Sequence, residues 1–179
     1  ARGVHIAGTF KGRMEKVTFT DSYGEVYVYL LPFIKPAAAE PFFGAEKTGS
    51  YFDAVSAAVG ASGIDTSKRN VLVAHQFVTS SGEEPLRCDS ETVSVGGVDN
   101  VDVSAFSPFD YAALGHLHGA QSIGRSTVRY SGSPLKYSFS EAHQEKSVTV
   151  AELGEKGKIT LTSVPLVPLH GMREIKGPI

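Results

Sequence analysis

The 179-residue chain has no tryptophan, two methionines and a single cysteine, Cys88. One thiol permits no internal disulfide, so packing and hydrogen bonds must hold the fold, and a reducing cytoplasm is the expected setting. Cys88 itself lies in a polar stretch without a partnered motif and reads as incidental. Long apolar runs are missing as well. No segment approaches the roughly eighteen apolar residues a membrane span needs, and the N-terminus has no charged-then-apolar signal layout, so no membrane association is expected. Excess positive charge is also absent: 17 Lys and Arg stand against 19 Asp and Glu, for a net charge of -2 and a pI near 6.3. A module held on nucleic acid by bulk electrostatics would be basic, so any contact with DNA or RNA must be local. No internal repeat or low-complexity tract is found.

What remains is an ordinary globular composition, 41% hydrophobic and 20% charged with a mean hydropathy of -0.05. That is enough chain for one domain with a sizeable core. The chain opens at Ala1-Arg2-Gly3 and closes at Gly177-Pro178-Ile179, which reads as a portion of a longer protein.

The most informative stretch is Phe109 to Gly119, FDYAALGHLHG, an apolar run that ends in Gly-His-Leu-His-Gly. Tyr111 to Leu114 is short and bounded by Pro108 and Gly115, as a strand covered on both faces should be. In extended chain, residues two apart point to the same side and lie roughly 6.6 to 6.8 Å apart. On that geometry His116 and His118 face one site while Leu117 points away. The separation is wide for one small ion but suits two ions roughly 3.5 to 4 Å apart, each taking one histidine. Solvated or hydrogen-bonded histidines are the plainer alternative. A second apolar run, Asn70-Val71-Leu72-Val73-Ala74-His75, also closes on a histidine. Ligands gather where parallel strands end, so three histidines at two strand exits favour a metal site. His5, His143 and His170 lack that placement and read as surface residues.

Elsewhere the pattern predicts a short strand over Gly3 to Ile6, strands over Glu15 to Phe19 and Glu25 to Phe33, and a turn at Asp21-Ser22-Tyr23-Gly24. Lys35 to Thr48, with Pro36, Pro41 and Gly44, reads as a surface loop with a helical turn. Ser50 caps an expected helix from Tyr51 to about Val59. Residues 79 to 104 are polar and glycine-bearing, either a functional loop or partly helical. Consecutive antiparallel strands are expected at Gln121 to Gly124, Thr127 to Ser131, Leu135 to Phe139, Lys146 to Leu153 and Lys158 to Pro165. The last two are joined through Gly154-Glu155-Lys156-Gly157. Tyr130 and Tyr137 read as core or sheet-face aromatics, and Phe77 as packing beneath the histidines.

Hydrolytic two-metal centres also need carboxylates, one of them bridging. The sequence contains no Asp-x-His, Gly-Asp or Gly-Asn-His. Asp110 precedes the Tyr111 strand and would emerge at the end opposite His116.

Val71 to Val78 (VLVAHQFV), Phe109 to Gly119, Arg129 to Phe139 (RYSGSPLKYSF) with Glu141 after it, and Lys146-Ser147-Val148 resemble the bacterial SbcD nuclease subunits. These are Mre-type nucleases of the calcineurin-like metallophosphoesterase superfamily. Gly-His-x-His is shared across the superfamily, whereas the Tyr-Ser-Gly-Ser-Pro block and the Lys-Ser-Val strand after it point to SbcD.

The resemblance implies an α/β fold, a two-sheet sandwich flanked by helices, of which residues 1 to 179 are the β-rich C-terminal half. The N-terminal metal motifs and the C-terminal capping domain would lie outside the chain. It implies two divalent ions, manganese preferred, with His75 and His116 on one and His118 on the other. No catalytic residue is expected beyond these ligands. Beside the resemblance, Ser131-Gly132-Ser133-Pro134 reads either as a turn between strands or, through Ser131 and Ser133, as lining of the DNA groove, and Arg125, Arg129 and Lys136 either as isolated surface basics or as phosphate contacts near the metals. For the full-length protein the resemblance implies exonuclease and endonuclease action on DNA in repair. It further implies an SbcC-type coiled-coil ATPase as partner, a homodimer and a cytoplasmic location. The chain alone is expected to be inactive and to expose apolar sheet surface. The alternatives are a phosphatase or nucleotidase of the same superfamily, or a non-catalytic interaction domain.

Overall fold

Residues 3–91, 99–175 and 177 are described by a computed structural model. The strands are β1 (Glu15–Asp21), β2 (Gly24–Leu31), β3 (Arg69–His75), β4 (Phe77–Thr79), β5 (Asn100–Asp102), β6 (Tyr111–Gly115), β7 (Gln121–Ile123), β8 (Arg125–Tyr130), β9 (Ser147–Leu153) and β10 (Ile159–Pro165). Two helices, α1 (Pro36–Phe43) and α2 (Tyr51–Gly60), lie between β2 and β3.

Six strands form one mixed sheet in the order β1-β2-β3-β6-β8-β7. Its centre, β2-β3-β6-β8, is parallel, and the edge strands β1 and β7 are antiparallel to their neighbours. A parallel centre needs cover on both faces. On one face α2 packs Ala54, Val55, Ala58 and Val59 against a core containing Leu72, Ala112, Leu114 and Val128. Ser50 caps this helix by accepting from the Asp53 backbone N–H at 3.1 Å. On the other face, Val26, Val71 and Tyr111 meet Ala151, Leu153, Ile159 and Leu161 of the separate β9-β10 hairpin. That hairpin covers the face only in part. Val73, in a central strand, stays 43% exposed, and Val148, Val150 and Val164 are exposed as well. The architecture is mixed α/β and compatible with part of a metallophosphoesterase fold.

Four sequence expectations change. Gly3 to Ile6 is not a strand, and Val4 and Ile6 are exposed, so the apolar pattern there buries nothing that would hold an extended segment. Lys35 to Thr48 is the helix α1 followed by a 3-10 turn, Ala45–Lys47. Pro36 sits in the first turn, where its missing N–H costs nothing, and the buried Ala39 anchors the helix despite Pro41. Leu135 to Phe139 is irregular chain ending in a 3-10 turn at Phe139–Glu141, because both sides of β8 are already taken by β6 and β7. The run of consecutive antiparallel strands is thereby split: only the β7-β8 and β9-β10 pairs are antiparallel, and β8 runs parallel to β6. Within 79 to 104 the described residues include β5 and the start of a 3-10 turn, Val103–Phe106, while residues 92–98 lie outside the described set.

Tyr130 closes the sheet beneath the strand exits. Its buried hydroxyl donates to the Gln76 carbonyl at 2.7 Å and accepts from the Val78 N–H at 2.8 Å. Burial pushes its pKa up, so it stays a donor. Tyr130→Phe strands both backbone groups and is expected to cost about 1–3 kcal/mol in urea unfolding. A change under about 0.5 kcal/mol would show that the hydroxyl is not needed there.

Candidate functional site

The paired strands β3 and β6 are parallel with His75 opposite Gly115, so both histidine-bearing exits lie at one edge of the sheet. The approach is tight. A Cβ on Gly115 would come within 2.8 Å of His75 Nδ1, so the bare glycine is what admits the His75 ring. The next residue, His116, has φ +118°, a conformation that costs a non-glycine residue about 1–3 kcal/mol. The ring centroids of His75 and His116 are 5.4 Å apart at 87°. Phe77 meets His116 edge-on at 5.9 Å, packing beneath it as expected. Phe33 abuts His75 at 6.5 Å.

His116 Nε2 is buried and has no hydrogen-bond partner among the described residues. A buried polar atom left unpaired costs about 1–3 kcal/mol. Burial, and then the neighbouring His75, lower the His116 pKa below the ordinary imidazole value. Both effects favour the neutral ring, and a neutral imidazole is the form in which histidine binds a metal.

His118 is not arranged as the spacing argument expects. The strand ends at Gly115, and the positive φ of His116 breaks the extended geometry on which the same-face spacing rested. Leu117 does point inward and is buried. The His118 ring instead turns Nδ1 toward Ser90 Oγ at 3.0 Å and Glu141 Oε1 at 3.2 Å. Its backbone N–H donates to Glu91 Oε1, and its carbonyl accepts from Lys146 Nζ at 3.0 Å and the Ser133 N–H at 3.1 Å. Among the described residues, no group of three or more His, Cys, Asp or Glu side chains is gathered to hold a metal. His75 and His116 are brought into ring contact, and His118 is engaged by Ser90, Glu91 and Glu141.

Glu141 is the residue that sequence reasoning left unassigned. Its side chain is fully buried, and its carboxylate accepts from Lys146 Nζ at 2.6 Å, Ser90 Oγ at 2.9 Å and Ser138 Oγ at 3.0 Å. Burial alone would raise its pKa. The donors, Lys146 first and then His118, Ser90 and Ser138, outweigh burial and hold it far below the usual carboxylate range. Lys146 is equally buried and also reaches Ser133 Oγ and Gln144 Oε1. A charged pair inside the fold leaves no periodic trace in sequence; the only hint was the Lys-Ser-Val block after Glu141.

The proposed groove residues spread around this network. Ser131 is exposed, and Ser133 donates to the Leu135 carbonyl at 2.8 Å. Lys136 Nζ donates to the Ala142 carbonyl, and Arg129 Nε meets Thr149 Oγ1 at 3.3 Å, toward β9. Arg125 donates to the Phe106 and Phe109 carbonyls, at the sheet edge opposite the histidines. Gly132 must be glycine: its φ is +82°, and a Cβ would lie 2.7 Å from the His118 carbonyl. Tyr137 is exposed rather than core, with its ring 5.5 Å from that of His118. Asp110 sits at the start of β6 and binds the Asn70 N–H and Lys156, away from the histidines. His5, His143 and His170 are exposed. Cys88 is buried, with Gln144 Nε2 2.9 Å from its Sγ.

No protein-family model matches the chain. Among curated proteins it is 35% identical, over 158 residues, to the SbcD subunit of the SbcCD nuclease of Staphylococcus epidermidis. A second SbcD subunit, from Staphylococcus saprophyticus subsp. saprophyticus, is 34% identical over 157 residues. The chain is similar to SbcD nuclease subunits over most of its length. These alignments cover 85% and 86% of the chain but 40% of each relative, so the SbcD-like chain spans about 40% of the length of the curated relatives it matches. No helix among the described residues is long and apolar enough to cross a membrane.

Proposed function

We propose that this SbcD-like chain is the C-terminal part of a metal-dependent DNA exonuclease and endonuclease domain. The observation that carries the proposal is the strained His116 with its Nε2 unpartnered among the described residues, beside His75, in a chain 35% identical to an SbcD subunit. His75 and His116 fit a shared ion in that respect, and His118 would serve a second. Divalent ions, manganese preferred, would neutralise the scissile phosphodiester and lower the pKa of an attacking water. The chain's own part is to supply neutral imidazole ligands, to seat them on Phe77 and the Glu141 network, and to offer Ser131, Ser133, Arg129 and Lys136 to the nucleic-acid backbone.

Three imidazoles without the missing carboxylate motifs under-coordinate such ions. The chain alone is accordingly proposed to bind metal weakly and to lack nuclease activity, with the full-length protein acting in DNA repair. There it would work in the cytoplasm as a homodimer with an SbcC-type ATPase, the partner that the relatives' name SbcCD suggests.

The test is manganese-dependent hydrolysis by the full-length protein, with linear and hairpin DNA assayed beside small phosphate monoesters and nucleotides. Cleavage of DNA ends is expected. Turnover of the monoesters alone would assign the site to a phosphatase or nucleotidase, and no turnover of either would leave an interaction domain. Cleavage by the purified 179-residue chain, lost on His116→Ala, would overturn the claim that the chain alone is inactive.

A further inference from the structure

We infer that Glu141 is a positioning residue that fixes His118 as its Nδ1–H tautomer and so keeps the Nε2 lone pair free for a divalent cation. The tautomer half of this inference stands on hydrogen-bond geometry alone; the cation half rests on the metal-site reading above.

The protons available around Glu141 decide the assignment. The Glu141 carboxylate, ionised beside Lys146, can only accept. Ser90 has a single hydroxyl proton and lies between two candidates, Glu141 Oε1 at 2.9 Å and His118 Nδ1 at 3.0 Å. Suppose that proton pointed at Nδ1. Glu141 Oε1 would then face the lone pairs of Ser90 Oγ at 2.9 Å and Nδ1 at 3.2 Å with no hydrogen between them. Two acceptor–acceptor contacts at one oxygen of a fully buried carboxylate are unfavourable. With the Ser90 proton on Glu141 instead, the Ser90 lone pair accepts from Nδ1–H, which Oε1 shares. Every contact in the triangle is then a donor facing an acceptor.

The backbone of His118 is pinned by the same group. Lys146 Nζ, 2.6 Å from Glu141 Oε2, also donates to the His118 carbonyl, which the Ser133 N–H reaches as well. The backbone that carries the ring is thus fixed by Lys146 and Ser133, and the ring itself is held through Nδ1 by Ser90 and Glu141. The His118 side chain nevertheless remains 25% exposed, so its Nδ1 edge is engaged while the ring is still reachable from solvent. A carboxylate behind an imidazole in this manner sets ring orientation and raises ligand basicity.

The experiment is nitrogen NMR of the metal-free chain with 15N-labelled histidine, followed by titration with manganese chloride. Expected for the wild type is a single neutral His118 tautomer with its proton on Nδ1, and selective broadening of His118 by manganese. In Glu141→Gln both tautomers should be populated, and manganese affinity should fall by about 10- to 100-fold. Gln144→Ala disturbs the network through Lys146 without touching Oε1, and should leave the His118 tautomer unchanged. A wild-type spectrum with the proton on Nε2 overturns the inference without recourse to any variant, as does a Glu141→Gln chain whose tautomer and affinity match the wild type. A Glu141-dependent Nδ1–H tautomer that manganese never broadens overturns the cation half, and the metal-site reading at His118 with it, while the tautomer assignment stands.

Discussion

Lys146→Ala is expected to destabilise the fold by about 3–5 kcal/mol, because removing one partner of a buried ion pair strands the other charge. Glu141 has no solvent to turn to: its side chain is fully buried, and its remaining donors are neutral hydroxyls, one backbone N–H and a histidine. Truncation also takes a donor from the His118 carbonyl, from Ser133 Oγ and from Gln144 Oε1. Urea unfolding of wild type and variant measures the loss. The double variant Lys146→Ala with Glu141→Gln should recover part of it, since a neutral amide in the same place no longer carries an unpaired charge. A single variant within about 1 kcal/mol of wild type would mean that Glu141 takes up a proton cheaply or that water enters the site.

This network also explains which features were readable in advance. The β3 and β6 exits were legible because each strand is a short, largely apolar run, and a histidine closing that run breaks it visibly. The α2 stripe was legible for the same reason, with Ser50 announcing its start. What failed was decided by neighbours rather than by local chain. Leu135 to Phe139 alternates like a strand, yet β8 has no free edge for it, and Leu135, Tyr137 and Phe139 remain exposed while the segment wraps around Glu141. Proline and glycine marked Lys35 to Thr48 as loop, although α1 tolerates Pro36 in its first turn and is held by burial of Ala39. Within the candidate site, residue identity was legible and arrangement was not. Composition places glutamate and lysine at the surface, and only the fold shows Glu141 and Lys146 sealed inside behind His118.

For His116 the expectation is the reverse of that for Lys146, a large loss of function with little loss of stability. In the full-length protein, His116→Ala should reduce manganese-dependent DNA cleavage by more than the roughly 10- to 100-fold that loss of an outer-shell partner costs. Its effect on unfolding should stay within about 1 kcal/mol, since two opposed contributions of similar size nearly cancel. The variant loses the edge-on contact with Phe77 and the contact with His75, worth about 0.5–1.5 kcal/mol for an aromatic pair. It also removes the buried Nε2 that has no partner among the described residues, relieving a penalty of about 1–3 kcal/mol. His116→Gly goes further, because glycine adopts a φ of +118° without strain, although it also loosens the unfolded chain. If the imidazole were a packing element, both variants would lower the unfolding midpoint and leave cleavage intact once folded. If it is a ligand held in a costly conformation, cleavage disappears from a protein that unfolds no more easily than the wild type. Measuring both quantities on the same two variants separates these outcomes, because strain and an orphaned nitrogen persist at a site only where something other than stability maintains them.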